Sequence, residues 1–282
     1  MKCFLCENTE MIPFFLKNFG GGQKRTWHQF VKCKDCGLVV DKTVYEMTED
    51  EWAELNDSHK EYQGTNDNPV DPDWICRLHA QASVICGLIR HEIVAVDGRN
   101  VDYGCGDGKL SEYINDEYEK STGVRLSHYI VGKYDKYMCP SGATDYYRDD
   151  EVSKGAFDFV LSCSVFEHLI GIDDVDNILS LVNESGIVAM HVLVCEEVPN
   201  DSEWYYLLPS HCTIWTNRAM KMLYQKYGFV GCAYHVGARM WFFFKDEAKY
   251  QKIQSAQYDI PGTWVISEKF VDYWKQKPYR SE

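Results

Sequence analysis

The most constraining feature of this sequence is a glycine-rich segment, Val101-Asp102-Tyr103-Gly104-Cys105-Gly106-Asp107-Gly108. Its first residues continue a predicted β-strand, and a predicted helix over residues 109–120 follows it. Glycines at a strand-to-helix turn let the backbone bend sharply and let a ligand approach closely. The spacing is Gly-x-Gly-x-Gly after an acid, and not the Gly-x-Gly-x-x-Gly of dinucleotide-binding folds. The segment therefore predicts a ligand-binding turn within an α/β domain.

From residue 93 onward, short apolar strands alternate with helical segments. Strands are predicted at 100–103, 129–134, 157–162 and 186–194, helices at 109–120, 173–183 and 216–227, and a closing hairpin at 232–235 and 240–244. Alternation of this kind is typical of a parallel sheet with helices on both faces. We therefore predict an α/β fold with a Rossmann-like, mostly parallel, seven-stranded sheet, to which the hairpin adds an antiparallel edge strand.

Four cysteines form two closely spaced pairs near the N-terminus, Cys3-x-x-Cys6 and Cys33-x-x-Cys36. A two-residue spacer lets both thiolates of a pair point at one ion, and two such turns complete a tetrahedral site. Strand-like runs at 11–16 and 26–32 flank a glycine-rich tip between the pairs, which predicts a zinc ribbon. The expected metal is Zn²⁺, with iron as the alternative because four cysteines also suit iron. The ion is expected to be structural, since the four sulfurs leave no ligand position open.

These features divide the chain into four predicted regions. Residues 1–40 form the zinc ribbon, 41–95 a helical lid or linker, 96–245 the α/β domain and 246–282 an aromatic C-terminal cap. Within the lid, Thr48-Glu49-Asp50-Glu51 fits a capping box at the start of a helix.

Composition limits the partners and the compartment. There are 43 Asp and Glu against 29 Lys and Arg, a net charge of −14, which disfavours a broad nucleic-acid footprint. The apolar runs are too short for a membrane span, and the N-terminus lacks the apolar run of a signal peptide. Twelve cysteines without a secretion signal favour a cytoplasmic protein. We expect a monomer or a homodimer.

The glycine-rich segment resembles motif I of class I S-adenosylmethionine-dependent methyltransferases. The resemblance covers roughly residues 95–245, with the motifs in the family's order. It continues through 157–160, 164–169, 185–187, 211–216 and 228–229. The ribbon ahead of the domain is similar to that of bacterial methyltransferases that act on sugars or natural products.

The resemblance implies roles for individual residues in binding S-adenosylmethionine. Gly104 and Gly106 would let the backbone contact the amino-acid part of the cofactor, and Asp102 would meet its ammonium group. Asp135, at the end of the second strand, would accept both ribose hydroxyls, since a carboxylate offers two acceptors to a vicinal diol. An insert around 121–128 makes the interval from Asp102 to Asp135 longer than is usual for the family.

Two further cofactor contacts are predicted. Asp150 is expected to meet the adenine amine, with Asp149 and Asp145 as alternatives. Tyr62, in the helical lid, is expected to close over the cofactor, as lids do when they exclude water from a site.

The expected reaction is methyl transfer to a small molecule, most simply to an oxygen of a sugar, a nucleotide-linked sugar or a related metabolite. His211 and His168 follow strands at the edge where open α/β sheets bind ligands, and a histidine is suited to removing the acceptor's proton. A structural role for His168 is an alternative. An RNA methyltransferase that grips RNA with its ribbon, and a non-catalytic binding protein on the same fold, are alternative functions.

Overall fold

Two β-sheets organise the chain in the computed structural model, which describes residues 1–20, 25–59 and 73–272. The strands are β1 (Met11–Asn18), β2 (Trp27–Cys33), β3 (Val39–Asp41), β4 (Asn100–Tyr103), β5 (Gly132–Tyr134), β6 (Phe157–Cys163), β7 (Val182–His191), β8 (Val194–Cys195), β9 (Thr213–Thr216), β10 (Gly231–His235), β11 (Met240–Phe244) and β12 (Trp264–Ser267). The helices are α1 (Lys42–Tyr45), α2 (Glu49–His59), α3 (Trp74–Arg90), α4 (Lys109–Thr122), α5 (Ile172–Leu179), α6 (Asn217–Lys226) and α7 (Glu247–Ala256).

The larger sheet has seven strands in the order β12-β10-β11-β7-β6-β4-β5. Strands β4 to β7 are mutually parallel, whereas β11 and β12 run opposite to the other five. The predicted mostly parallel, seven-stranded α/β sheet is therefore confirmed. The antiparallel pairings join β12, β10, β11 and β7 at one end of the strand order. The parallel strands β6, β4 and β5 form the other end.

Neighbouring residues of each central strand point to opposite faces of this sheet, as the pleat requires. On one face, Leu161, Ala189 and Phe242 pack in a buried cluster with α3, α4 and α7. On the other, Val160, Val188 and Phe243 pack with α6. Covering on both faces explains why the strands are continuous apolar runs.

The smaller sheet joins the N-terminal hairpin to the α/β domain. Its order is β1-β2-β3-β9-β8, with β3 antiparallel to β9 and β8 parallel to β9. Val39 pairs with Ile214, and Val40 with Thr213. The cysteine-bearing hairpin thus shares a sheet with the segment that carries His211. The region boundaries predicted above stay a prediction.

The predicted capping box is confirmed. The Glu51 amide donates to Thr48 Oγ1 at 3.2 Å, and the Thr48 amide donates to Glu51 Oε2 at 2.9 Å. Each side chain satisfies a backbone donor that the first helical turn leaves open. None of the described helices combines the length and the apolarity needed to cross a membrane.

Three predicted boundaries in the α/β domain are wrong, and one of them is the strand expected over 129–134, which begins at Gly132. The helix expected over 173–183 ends at Leu179, because the amides of Gly155 and Phe157 donate to the carbonyls of residues 180 and 181 and draw the chain into β7. Val182 fits the helical spacing, yet it pairs with Phe157 in the sheet. The strand expected over 186–194 ends at His191, and β8 belongs to the smaller sheet.

The aromatic C-terminal region supplies a helix and a strand that the sequence patterns did not predict. Strand β12 pairs antiparallel with β10 and forms the edge of the larger sheet, so the expectation that the 232–244 hairpin supplies the edge strand is wrong. Tyr250 of α7 packs against Gly231, where a Cβ atom would lie 2.1 Å from the tyrosine ring. Phe270 stacks on Trp241 with an interplanar angle of 14°. The described part of this region is therefore packed against the domain.

Candidate active site

The glycine turn after β4 has a backbone that only glycine adopts without strain. Gly104, Gly106 and Gly108 have φ angles of +73°, +58° and +76°. The amides of Gly104 and Cys105 both donate to the Tyr134 carbonyl, at 2.8 and 3.1 Å. A Cβ atom on Gly104 would also lie 2.6 Å from Val165 Cγ2. The turn is therefore held against the end of β5 and has no room for a side chain at residue 104.

Asp135 follows β5 and is part of the same turn. Its Oδ2 accepts from the Gly106 amide at 2.9 Å, and its Oδ1 accepts from the amides of Tyr137 and Met138, both at 2.8 Å. A carboxylate oxygen has about two acceptor sites, so Oδ1 is filled by its two amides and Oδ2 keeps one site for a ligand hydroxyl. Asp135 thus orders the glycine turn, a link that the sequence did not reveal.

Asp102 is the buried acid of this site, with a relative exposure of 2%. Burial, followed by the negative charge of Asp135, raises the pKa of its carboxyl to about 7. Ser111 and the charge of Lys133 lower this pKa by less, so the buried carboxylate is only partly compensated. A ligand that brings a cation beside Asp102 would stabilise the ionised form.

The three acids considered for adenine recognition lie in different surroundings. Asp150 forms an exposed ion pair with Arg148 at 3.2 Å. Asp149 accepts from the Tyr134 hydroxyl at 3.1 Å, next to the glycine turn. Asp145 pairs at 3.1 Å with the buried Lys133. The contact with Tyr134 places Asp149 beside the glycine turn, whereas the contact of Asp150 is with the exposed Arg148. Tyr62 lies outside the described residues.

Lys133 is a site residue that the sequence patterns missed. It is buried on β5, and its ammonium contacts Glu112 at 3.0 Å as well as Asp145. Burial opposes the charge, but these carboxylates raise the pKa of Lys133 above its usual value. A Cβ atom on Gly108 would lie 2.5 Å from Lys133 Cε, so the lysine stem fills the space under the start of α4. Its only signal in the sequence is a charged residue within an apolar strand, two positions before Asp135.

His168 and His211 lie together beyond the end of β6, with ring centroids 5.1 Å apart. His168 is the last residue of a short 3₁₀ helix over Phe166–His168. Its Nδ1 lies 2.9 Å from the Ser210 carbonyl, and His211 Nδ1 lies 2.8 Å from the Tyr206 carbonyl. A carbonyl only accepts, so in the neutral rings Nδ1 carries the proton and Nε2 the lone pair.

Glu167 completes a cluster with these histidines. One ligand atom from each of the three residues lies within 4.8 Å of the others. Glu167 is 3% exposed, and its Oε2 is buried without a hydrogen-bond partner among the described residues. Burial raises the pKa of its carboxyl to about 7, against the smaller effects of a backbone hydrogen bond, of Tyr206 and of the charge of Arg77. Sequence analysis included Glu167 in the 164–169 motif but assigned it no role. The one indication of a role was its position beside His168, just after a predicted strand.

A third histidine, His191, ends the neighbouring strand β7, where it pairs with Cys163. Its Nδ1 lies 2.7 Å from the Arg239 carbonyl. Burial, with the charge of Arg77, lowers its pKa to about 3. His191 is therefore neutral near pH 7 and a weak base.

The four N-terminal cysteines converge as their spacing predicts. Cys3 and Cys36 have sulfurs 3.6 Å apart, Cys6 and Cys33 have sulfurs 3.5 Å apart, and all four sulfurs lie within 4.8 Å of one another. Sulfurs placed about 2.3 Å from a tetrahedral zinc are separated by about 3.8 Å. A hydrogen bond from Cys36 lowers the pKa of Cys3 to about 5. The donor set and its spacing fit a structural metal ion.

The second cysteine turn is tied directly to the α/β domain. Gly37 has a φ of +75°, and its amide donates to the Cys33 carbonyl at 3.0 Å. The Thr216 hydroxyl donates to the Cys36 carbonyl at 2.6 Å and accepts from the Ala219 amide, capping α6. The geometry around the sulfurs is thus coupled to the end of β9 and the start of α6.

Comparison with known proteins defines the class. A family model described as a methyltransferase domain matches residues 78–233, more than half of the chain, so the chain belongs to this family. The protein is an S-adenosylmethionine-dependent methyltransferase. The match spans the glycine turn, Asp135 and the His168–His211 pair. A search by sequence finds no matching curated protein.

Several solved structures are similar in fold. The plantazolicin methyltransferase BpumL in complex with SAH is 10% identical, with a TM-score of 0.40, over 80% of this chain and 99% of that one. Magnesium protoporphyrin IX methyltransferase from Synechocystis PCC 6803 with bound SAH is 15% identical, with a TM-score of 0.43, over 72% and 98%. At this level of similarity, their substrates say nothing of the acceptor used here.

Proposed function

We propose that this methyltransferase acts on a small hydroxylated molecule, such as a sugar, a nucleotide-linked sugar or a related metabolite. The observation that carries the proposal is the His168–His211 pair beyond the end of β6. Val165, three residues before His168, packs against Gly104 of the glycine turn. An acceptor beside the imidazoles would therefore be next to the cofactor turn.

The chemistry of the proposal is an in-line displacement. The acceptor oxygen forms a bond to the methyl carbon, and the carbon–sulfur bond breaks with its electrons passing to the sulfonium sulfur. The hydroxyl proton passes to Nε2 of His211 or His168, which acts as the general base. Holding the acceptor in line with the methyl group supplies the rest of the rate enhancement.

The cofactor roles follow from the turn. Asp102 faces the ammonium of S-adenosylmethionine, Gly104 and Gly106 contact its amino-acid part, and Asp135 binds the ribose hydroxyls. Asp150 is the predicted adenine contact, and Asp149 is the alternative supported by its bond to Tyr134.

The charges of the ribbon support a small acceptor over RNA. Basic side chains of the ribbon are paired with glutamates: Lys17 with Glu203 at 3.0 Å, Lys32 with Glu197 at 3.1 Å, Lys34 with Glu10 at 3.4 Å and Arg25 with Glu51 at 3.3 Å. An RNA-binding face needs cations that are available to phosphates. These pairs, together with the net charge of −14, offset the positive potential of the ribbon.

We also propose that Cys3, Cys6, Cys33 and Cys36 hold a structural Zn²⁺. The convergence of four sulfurs at zinc-like spacing supports it, and the link through Thr216 gives the ion a role in ordering the domain.

The test of the acceptor class uses S-adenosylmethionine with a tritium-labelled methyl group. The full chain is incubated in parallel with a panel of sugars, nucleoside-diphosphate sugars and total RNA. The proposal expects label in the sugar fractions. Label recovered in RNA and in none of the sugars would contradict it.

A further inference from the structure

The Glu167 cluster, defined as Glu167, His168 and His211, has the composition of a metal site that is separate from the four cysteines. One carboxylate oxygen and two imidazole nitrogens lie within 4.8 Å of one another. Two imidazoles and a carboxylate are a donor set that suits divalent ions such as Zn²⁺, Mn²⁺ and Fe²⁺. The spacing permits one ion to contact all three.

Both rings are oriented as ligands by the backbone. Nδ1 of His168 and of His211 each donate to a main-chain carbonyl, those of Ser210 and Tyr206. Histidines that bind metals typically donate their other ring N–H to a carbonyl or a carboxylate, which fixes the tautomer and the ring orientation. The nitrogen that would face an ion is therefore Nε2 in each ring.

Glu167 supplies an independent observation. Its side chain is more than nine-tenths buried, and Oε2 has no hydrogen-bond partner among the described residues. Tyr206 and the charge of Arg77 offset the burial of this carboxylate only in part. An ion between Glu167 and the two histidines would provide the rest.

We propose that Glu167, His168 and His211 bind one divalent metal ion at the acceptor position. The inference rests on the proposed function, because the open coordination positions of the ion would take the acceptor oxygen. A hydroxyl bound to the ion loses its proton to solvent more readily, and its oxygen then attacks the methyl carbon as the carbon–sulfur electrons move to sulfur. With the ion bound, the histidines act on the acceptor through the ion and the proton passes to solvent; the general-base step described above applies to the enzyme without this ion.

Mn²⁺ is the probe that separates the two sites. It prefers nitrogen and oxygen ligands and binds more weakly than Zn²⁺ to a common site, so it leaves a zinc ion in the cysteine site in place. The full chain, loaded with one equivalent of zinc for the four thiolates and no more, is titrated with Mn²⁺, and free Mn²⁺ is followed by electron paramagnetic resonance. We expect saturable binding of one ion per chain.

Variants of the cluster give the decisive comparison. Glu167→Gln and His211→Ala should each weaken Mn²⁺ binding at least ~10-fold, the scale on which changes around metal sites act. Glu203→Gln and His91→Ala, which change an exposed glutamate and a histidine at the end of α3, are the matched controls and should bind like wild type. Binding of S-adenosylmethionine, measured by calorimetry on the same samples, shows that each variant is folded.

No saturable Mn²⁺ binding by the wild-type chain, or equal binding by Glu167→Gln and wild type, would overturn the metal site. Failure of the proposed function gives a different result, since Mn²⁺ would then bind while label from S-adenosylmethionine would reach no sugar.

Discussion

At the scale of single residues, we propose that Asp102 links cofactor binding to pH. Its carboxyl has a pKa of about 7 in the folded chain, against 3.8 for the ordinary group, because it is buried near Asp135. A raised folded-state pKa means that this group favours folding fully below pH 3.8 and loses that contribution as the pH rises through about 7. The ligand-free protein therefore carries an unfavourable charge that a cationic ligand would relieve.

We predict that S-adenosylmethionine binds more weakly as the pH falls below 7. The cofactor's ammonium favours ionised Asp102, so binding at pH 6 must release a proton, and affinity should fall about tenfold per unit below the pKa. Calorimetry at pH 6 and 7.5, in buffers of different ionisation enthalpy, measures the affinity and the number of protons released on binding. Affinity that is independent of pH, without proton release, would show that Asp102 does not meet the ammonium.

The matched variant is Asp102→Asn, which cannot ionise. We predict that at pH 8 it unfolds at a higher temperature than wild type, because the buried charge is gone, and that it binds the cofactor more weakly. Thermal unfolding at pH 5 and pH 8 checks the first part, since the gain should shrink at the lower pH. A lower unfolding temperature than wild type at pH 8 would mean that ionised Asp102 is compensated within the protein.

His211 is predicted to act on the acceptor and not on the cofactor. His211→Ala should reduce methyl transfer by about 10²-fold or more, a typical contribution of a positioned base, with S-adenosylmethionine affinity changed little. The measurements are label transfer to the acceptor found in the panel and calorimetry of the cofactor. Unchanged turnover would remove His211 from the mechanism.

At the scale of elements, the cysteine turns and helix α6 are joined through Thr216. Its hydroxyl reaches the Cys36 carbonyl and also caps α6, so losing the metal should loosen the start of this helix. Substituting a capping residue typically costs about 1 kcal/mol, and a zinc site contributes folding energy beyond that.

We predict that chelation lowers the unfolding temperature and increases hydrogen exchange in residues 213–223. Zinc added back should restore both. Cys33→Ser should reproduce the effect of the chelator, whereas Cys139→Ser, which changes an exposed cysteine, should not. If exchange in this helix is insensitive to metal removal, the ribbon is not coupled to the domain.

Local signals predicted the elements that depend on local chemistry. The glycine turn, the capping box at Thr48 and the cysteine pairs each show their geometry in a few consecutive residues. Contacts between distant segments had no such signal, for example Gly106 to Asp135 and Thr216 to Cys36. The end of α5 was missed for the same reason, since Val182 suits a helix until its pairing with Phe157 is known.

At the scale of the whole molecule, two sheets bring separate parts of the sequence to one place. The parallel strands carry the glycine turn and His168, and the loop before β9 carries His211. Since β9 also pairs with β3, the cysteine-bearing hairpin shares a sheet with the segment that follows His211. We propose that the ribbon's role in this arrangement is to support the site.

The central claim is that the turn after β4 is the cofactor site, and calorimetric titration of S-adenosylmethionine into wild-type and Gly104→Val protein tests it most directly. Gly104 has a positive φ and no space for a Cβ atom beside Val165, so valine would displace the turn. Gly123→Val is the matched control, because Gly123 also has a positive φ but has nothing within 4 Å of its Cβ position. The account predicts saturable binding by wild type and the control, and loss of binding in Gly104→Val with the fold retained. Binding of equal strength in all three proteins would contradict it.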